Sequence, residues 1–294
     1  MSAESPLSIR ASTQLCAVIG NPVLHSLSPA MHNAAFHAAG LDYAYLAFTV
    51  SDLAGCLTGM RALEGFQGLS VTIPHKIAIL SYLDEIEESA LKIGSVNTVV
   101  KKDEKLLGTS TDGAGAFRAI ENAGVSLKDA SVLFAGTGGA ARAVAFALCT
   151  SGLPRKIMIV GRSAEKVEAL TRDLETVSSS VEVLGGSFSE NLLAWAEESD
   201  LLINATPLGM HGAAEQENSF PGVGLRADQA VFDMVYRPEN TVLVQEAKKQ
   251  GCKIVPGLDM LLYQAVIQFE LWTGACAPEE AMRQALNNAL RSRE

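Results

Sequence analysis

Short apolar runs alternate with segments of helical period from one end of the chain to the other. "CAVIG" (16–20), "YAYLAFTV" (43–50) and "GLSVTIP" (68–74) read as strands, with helices between them over 28–40 and 53–63. The first helix is punctuated at both ends. Ser28 suits the N-cap, Pro29 the first helical position and Gly40 the position after the last turn. "SVNTVVKK" (95–102) and "LLGTST" (106–111) read as a hairpin, followed by a helix over 113–123. The grammar changes near residue 130. "SVLFAG" (131–136), "KIMIVG" (156–161), "LLINATPLGM" (201–210, running into a loop), "AVFDMVY" (230–236) and "KIVPG" (253–257) read as strands. Helices follow the first two, to about 150 and over 163–177, and two more close the pattern at 258–274 and 278–292. Residues 211–222 read as a surface loop.

Strand and helix in alternation imply an α/β fold with mostly parallel sheets. Two lobes are expected, residues 1–111 and 112–257. On pattern alone, the C-terminal helices over 258–294 suit either lobe. There is no internal repeat or low-complexity segment.

Composition narrows the function classes. The 294 residues are 48% hydrophobic and 19% charged, enough for a sizeable core in a soluble protein. The formal net charge is −10 with no basic run, which argues against nucleic acid as a partner. No apolar run approaches the roughly 20 residues of a membrane span. Residues 1–14 lack an apolar signal region and read as a short polar tail. The five cysteines are odd in number and scattered, which points to a reducing, cytoplasmic setting rather than a disulfide or zinc framework. His25, His32 and His37 lack the spacing of a zinc helix, so no metal is expected.

"VLFAGTGGAARAVAFAL" carries the first candidate chemistry. It joins a strand to a helix through Gly136, Thr137, Gly138, Gly139 and Ala140, with small Ala141 where a third glycine often stands. Such a turn lets backbone N–H groups and a helix N-terminus meet a pyrophosphate. It also serves as a plain tight turn. The next strand ends in "VGRSAEK". Where an NAD site places an acid for the ribose hydroxyls, Arg162 stands, with Ser163 beside it and Lys166 one turn on. These groups suit the 2′-phosphate of NADP(H), or mark a helix start with solvated charges.

The first lobe places its unusual polar groups at segment ends. Ser26 and Ser28 in "HSLSP" share one side if that segment is extended, beside a helix N-terminus, which makes a small carboxylate site. Asn97 in "GSVNTV" either satisfies local backbone or binds a hydroxyl. Asp112 in "STDGAG" either caps a helix or does chemistry. Lys76 at the tip of "GLSVTIPHK" is a solvated strand end or a group aimed at a ligand.

Together these stretches resemble the shikimate/quinate dehydrogenase family. "VIGNPVLHSLSPAMHN", "SVTIPHK", "GSVNTV", "STDGAGAF", "AGTGGAARA", "NATPLGM" and "GLDMLLYQA" occur in its order and spacing, from residue 16 to about 272. The resemblance implies NADPH-dependent reduction of 3-dehydroshikimate to shikimate, in the biosynthesis of chorismate and aromatic amino acids. It implies a substrate lobe, a Rossmann-type NADP lobe and C-terminal helices returning to the first lobe. Lys76 and Asp112 are then the catalytic pair. Ser26 and Ser28 hold the carboxylate, with Tyr236 near it, and Thr72, Asn97 and Gln264 bind ring hydroxyls. Gly136 to Ala140 hold the pyrophosphate and Arg162, Ser163 and Lys166 the 2′-phosphate. Met234, Gly257 and Met260 lie near the nicotinamide. Four positions depart from the family's frequent residues: Gly161, Ser70 and Ser110 each stand where it often has Asn, and Ser163 where it often has Thr.

Hydride arriving at a ketone carbon leaves negative charge on oxygen, and with no metal a side chain must answer it. Lys76 as a cation, oriented by Asp112, fits that task. The rival readings are a broader quinate dehydrogenase using NAD and a non-catalytic NADP(H)-sensing protein. The partners expected are a small-molecule substrate, no nucleic acid and no membrane, with a homodimer as the candidate assembly.

Overall fold

In the computed structural model, residues 9–292 are described; most of the expected N-terminal tail, positions 1–8, lies outside them. The chain divides into two compact units, residues 1–111 with 265–294, and residues 112–264. The second division falls inside a helix, between Gln264 and Ala265, rather than at that helix's start near 257, where the apolar pattern changes.

The first unit contains β1 (Gln14–Gly20), α1 (Ser28–Ala38), β2 (Tyr43–Thr49), α2 (Leu53–Ala62), β3 (Phe66–Val71) and α3 (His75–Ala78). After a 3₁₀ turn at Ile79–Tyr82 come β4 (Glu85–Ile86), α4 (Glu88–Ile93), β5 (Thr98–Lys102) and β6 (Lys105–Thr109). The sheet order is β2-β1-β3-β5-β6-β4. β1 runs parallel to β2 and β3, and the β5–β6 hairpin joins antiparallel to β3. The sheet is therefore mixed. Ala17, Ile19, Leu57, Phe66, Leu69, Val71, Val99 and Leu106 form one core layer.

The second unit contains α5 (Asp112–Asn122), β7 (Ser131–Ala135), α6 (Gly139–Ser151), β8 (Lys156–Gly161), α7 (Ala164–Glu175) and β9 (Glu182–Ser187). It continues through α8 (Leu192–Glu198), β10 (Leu201–Asn204), β11 (Ala230–Asp233), α9 (Val242–Gln250) and β12 (Lys253–Pro256). All pairings are parallel, in the order β12-β11-β10-β7-β8-β9. Counted from β7 this is the six-stranded order of a dinucleotide-binding sheet, whose strand order reverses between β7 and β10. Full burial of β7 and β10 on both faces explains their apolar runs.

α10 (Gly257–Thr273) starts in the second unit and ends in the first, and α11 (Glu279–Arg291) packs on α1. Residues 265–294, the end of α10 and all of α11, thus belong to the first unit. Gly68 makes room for the end of α10. A Cβ there would lie 2.1 Å from Trp272 Nε1, which instead donates to Val99 O at 3.0 Å. Phe36 stacks on Phe269 at 5.4 Å in the same layer.

Several short elements were not expected from pattern: α3, the 3₁₀ turn, β4, α4, β9, α8 and α9. Among the described residues, no helix is long and apolar enough to cross a membrane.

Candidate active site

In the first unit the expected strand through Pro74 is cut short. β3 ends at Val71, although the Thr72 N–H still reaches Ile19 O at 2.9 Å. Thr72 O then accepts from the His75 N–H at 2.9 Å, turning the chain into α3. Lys76 therefore rides a single helical turn, not a strand tip. Two contacts hold that turn. His75 Nε2 lies 2.9 Å from Val50 O, and Lys76 O accepts from the Val96 N–H at 2.9 Å. The Lys76 side chain is half-buried, between exposed Ile73 and Ile77. Asn97 O accepts from the Val71 N–H at 2.8 Å, so Thr72, Lys76 and Asn97 stand on neighbouring, hydrogen-bonded segments.

The Ser26–Ser28 segment is not extended. Leu27 has φ −92° and ψ −9°, and it, not Ser28, is the N-cap of α1, without a side-chain bond. Ser28 falls inside the helix because Ser26 takes up the turn: its Oγ accepts from the Ser28 N–H at 3.2 Å. Ser28 is buried and Ser26 half-buried.

Behind these residues lies a buried polar network that pattern reading did not find. The Tyr45 hydroxyl donates to Ser70 Oγ at 2.5 Å, and Ser70 donates to Gln268 Oε1 at 2.7 Å. Gln268 Nε2 reaches Thr98 Oγ1 at 2.8 Å and Asn97 O at 3.2 Å. Asn97 Oδ1 accepts from Thr98 Oγ1 at 2.7 Å and from the Thr111 N–H at 2.8 Å, one residue before Asp112. Asn97 thus satisfies local backbone, one of the two roles open to it. Burial raises the Tyr45 pKa, against the pull of the Ser70 and Ser28 hydroxyls. His32 stacks on the Tyr45 ring at 4.4 Å and is fully buried. Neither His32 nitrogen has a hydrogen-bond partner among the described residues. Burial pushes its pKa down to about 3, opposed only by the nearby Gln268 side chain.

The second unit holds the Gly-rich turn at the switch in strand order. Gly136 has φ +112°, and a Cβ there would lie 2.9 Å from Ala205 O, the residue after β10. Gly136 is thus needed by the protein itself. Gly138 is different. It is the N-cap of α6, makes no side-chain cap, and its missing Cβ would face open space. Such a turn leaves the helix N-terminus open to an anion. Thr137 leans toward Gly161, where a Cβ would come within 2.7 Å of Val167 Cγ2 and 3.1 Å of Thr137 Cγ2. The absent Asn side chain at 161 is therefore replaced by packing between β8 and α7.

Arg162 is exposed directly after β8. Ser163 caps α7, its Oγ accepting from the Lys166 N–H at 3.4 Å. The junction is a helix start, and it gathers the three residues in one turn.

At the other end of the sheet, Gly257 meets the segment after β11. Its Cβ would lie 2.6 Å from Asp233 O and 2.8 Å from Met234 O. Met234 and Gly257 are thereby in contact, with buried Met260 one turn further along α10. Tyr236 and Gly257 line one small cavity with Asp233. Asp233, not singled out before, organises this wall. Its carboxylate accepts from Asn204 Nδ2 at 2.9 Å, the Val235 N–H at 3.0 Å and Thr241 Oγ1 at 2.6 Å. Burial nevertheless raises its pKa.

Asp112 is buried at the start of α5. Gly113 and Gly115 let that helix approach its neighbours: Cβ atoms there would lie 2.7 Å from Ala143 O and 2.7 Å from Gln264 N. Asp112 and buried Gln264 therefore belong to one rigidly packed helix pair. Among the described residues, no group of three or more His, Cys, Asp or Glu side chains is placed to hold a metal.

Comparison with known proteins matches all three parts of the chain. Residues 18–99 match the shikimate dehydrogenase substrate binding domain, 118–211 the shikimate / quinate 5-dehydrogenase family, and 257–286 the shikimate 5′-dehydrogenase C-terminal domain. The chain is 43% identical over 286 residues to the shikimate dehydrogenase (NADP(+)) of Moorella thermoacetica, covering 97% of this chain and 96% of that one. A crystal structure of a shikimate dehydrogenase in complex with NADP+ aligns with TM-score 0.88 at 42% identity, covering 97% and 99% of the two chains. The shikimate 5-dehydrogenase of Thermus thermophilus, in complex with NADP(H) and shikimate, aligns with TM-score 0.81 at 35% identity, covering 95% and 100%.

Proposed function

Because this chain belongs to the NADP-dependent shikimate dehydrogenase family, we propose that it reversibly reduces 3-dehydroshikimate to shikimate, with Lys76 and Asp112 as the catalytic pair. The observation that carries the cofactor choice is Arg162, exposed after β8 where an NAD site would place an acid. The residues fit NADP(H). Gly136 makes the turn at φ +112°, Gly138 leaves open space before α6, and Arg162 and Lys166 supply positive charge. Ser163 uses a lone pair for its cap, which leaves its O–H proton for a phosphate oxygen. When bound, the nicotinamide supplies the hydride.

The protein's own residues do the rest. Ser26 and Ser28 bind the substrate carboxylate at the start of α1, with Tyr236 toward the same group. Thr72, Asn97 and Gln264 orient the ring hydroxyls. Lys76 gives a proton to the oxygen as the carbonyl becomes an alcohol, and takes it back in the reverse direction. Asp112 holds the Lys76 ammonium in place. Met234, Gly257 and Met260 wall the nicotinamide. On this reading residues 1–111 with the C-terminal helices are the substrate domain and residues 112–257 carry the cofactor. The five unpaired cysteines support a cytoplasmic setting. A homodimer is proposed with it, and sedimentation at equilibrium tests that assembly.

Initial rates with shikimate and quinate, each against NADP⁺ and NAD⁺, test the whole reading. Shikimate with NADP⁺ is expected to give the highest kcat/KM. Preference for quinate with NAD⁺ would overturn the substrate and cofactor assignment. Absence of turnover despite tight NADPH binding would make the protein a sensor instead.

A further inference from the structure

Each sheet ends in two edge strands, and a bare edge is a template for another chain. Three of the four edges are guarded. β4 is two residues long and carries Glu85, paired with Lys105 at 2.6 Å. β12 carries Lys253 and Pro256. β9 carries Glu182 and two glycines, Gly185 and Gly186, which weaken pairing. β2 is different. Its seven residues, YAYLAFT, include no charge, proline or glycine, and they pair with β1 without a bulge. Leu46 and Phe48, on one face of the strand, are 45% and 36% exposed.

The bonds around β2 show which of its peptide groups point away from β1. Asp42 O accepts from the Gln14 N–H at 2.9 Å, and the Val50 N–H donates to Gly20 O at 3.1 Å. Even-numbered residues therefore face β1 and odd-numbered ones face outward. Tyr45 agrees: the Asn33 side chain of α1 accepts from its N–H at 2.8 Å and donates to its C=O at 2.9 Å. The Tyr43 N–H turns to Leu41 O at 3.0 Å. The first half of the edge is thus closed. On the second half, the N–H and C=O of Ala47 and Thr49 have no such clip among the described residues.

We propose that β2 is the interface of a homodimer, pairing antiparallel with β2 of a second copy about a two-fold axis through Phe48. This rests on the homodimer proposed above and names its surface. A two-fold contact needs a patch complementary to itself. One register uses every open group: Ala47 exchanges both bonds with the partner's Thr49, and Thr49 with the partner's Ala47. Centring on Ala47 would set Thr49 against Tyr45, which Asn33 has closed. Centring on Thr49 would set Ala47 against Ser51, beyond the strand. In the remaining register Phe48 faces the partner's Phe48 at a non-hydrogen-bonded position, where side chains approach most closely. Leu46 lies on the diagonal, within reach of that ring. Two chains of formal net charge −10 repel, and β2 brings no charge to the contact. The two six-stranded sheets become one continuous sheet.

Sedimentation equilibrium of the full chain tests this, with wild type expected to be a dimer in the micromolar range. Phe48→Glu sets two carboxylates against each other at the axis. It should weaken the dimer about tenfold or more while leaving the circular dichroism spectrum unchanged. Cysteine cross-linking reads the register, in a Cys276→Ser background because Cys276 is exposed. Phe48→Cys puts the two Cα atoms about 4.5 Å apart, within disulfide range, and should give a covalent dimer on mild oxidation. Leu46→Cys puts them roughly 14 Å apart and should not. A wild type that sediments as a monomer overturns the homodimer and the interface together. A dimer unaffected by Phe48→Glu, or one that Phe48→Cys does not cross-link, leaves the homodimer standing and removes β2 from it. Cross-linking through Leu46→Cys instead overturns the register. Should Phe48→Glu not fold, the two cysteine variants decide.

Discussion

Acid should destabilise this protein through His32. The side chain is fully buried between the Tyr45 ring at 4.4 Å and the Trp272 ring at 5.1 Å. Burial lowers its pKa from 6.5 to about 3, while Tyr45, the titratable group against it, is shifted upward and stays neutral. The folded state thus keeps His32 unprotonated in a range where the unfolded chain binds a proton. Stability is intact above pH 6.5 and is lost as pH falls from there toward 3. Linkage sets the loss at about 2 kcal/mol by pH 5 and about 3 kcal/mol by pH 4. The assay is urea denaturation of wild type and His32→Phe at pH 7.5, 5 and 4. Phenylalanine keeps a ring against Tyr45 and removes the proton. Other groups titrate in both proteins, so the signal is the difference between their pH dependences. Wild type should lose about 3 kcal/mol more than the variant between pH 7.5 and 4. Equal losses would mean that His32 is protonated in the folded state or is not enclosed as described.

Other outcomes follow from single residues. Lys76→Ala should lower kcat by about 10²–10⁴-fold with little change in KM, and a change in KM alone would make Lys76 a binding group. Arg162→Ala should weaken NADPH far more than NADH in a fluorescence titration, whereas equal weakening would remove the 2′-phosphate assignment. Gly68→Ala should cost about 1–3 kcal/mol of unfolding free energy in a denaturant titration, because the new methyl overlaps Trp272 at 2.1 Å. Ser163→Ala should lose about 1 kcal/mol from the missing cap of α7, and unchanged stability would mean that the 3.4 Å bond contributes nothing.

Apolar pattern revealed the second unit better than the first. Strands β7, β8 and β10 are buried on both faces, so they appear as unbroken apolar runs, and the turn at Gly136 stands out between strand and helix. The first unit uses short elements whose ends are set by hydrogen bonds rather than by period. α3 exists because His75 bonds Thr72 O and Val50 O, and those partners are distant or backbone, invisible in a hydropathy pattern. Ser28 looked like a cap because Pro29 follows it, yet Ser26 makes the turn one step earlier. The network around Asn97 was the hardest to see. Gln268 lies in an apolar helix and looks like one polar interruption, and its meaning depends on Ser70, which is 198 residues away. The serine at position 70 was legible as a departure, but its partner was not. Asp233 had a weaker signal, an acid closing an apolar strand just before the cavity-lining Tyr236.

The division of the chain between Gln264 and Ala265 also governs the order in which the protein is made. Residues 112–264 are continuous, so that unit has all its strands once the ribosome has passed the start of α10. The other unit begins first and finishes last. Until Gln268 and Trp272 emerge, Ser70, Thr98 and the Asn97 and Val99 carbonyls lack the partners that α10 supplies in the finished fold. Synthesis at about 5–20 residues per second leaves that sheet, complete in its strands but lacking residues 265–294, waiting through the whole length of its neighbour. The part of the chain proposed to recognise substrate is then the last to gain its full set of hydrogen bonds.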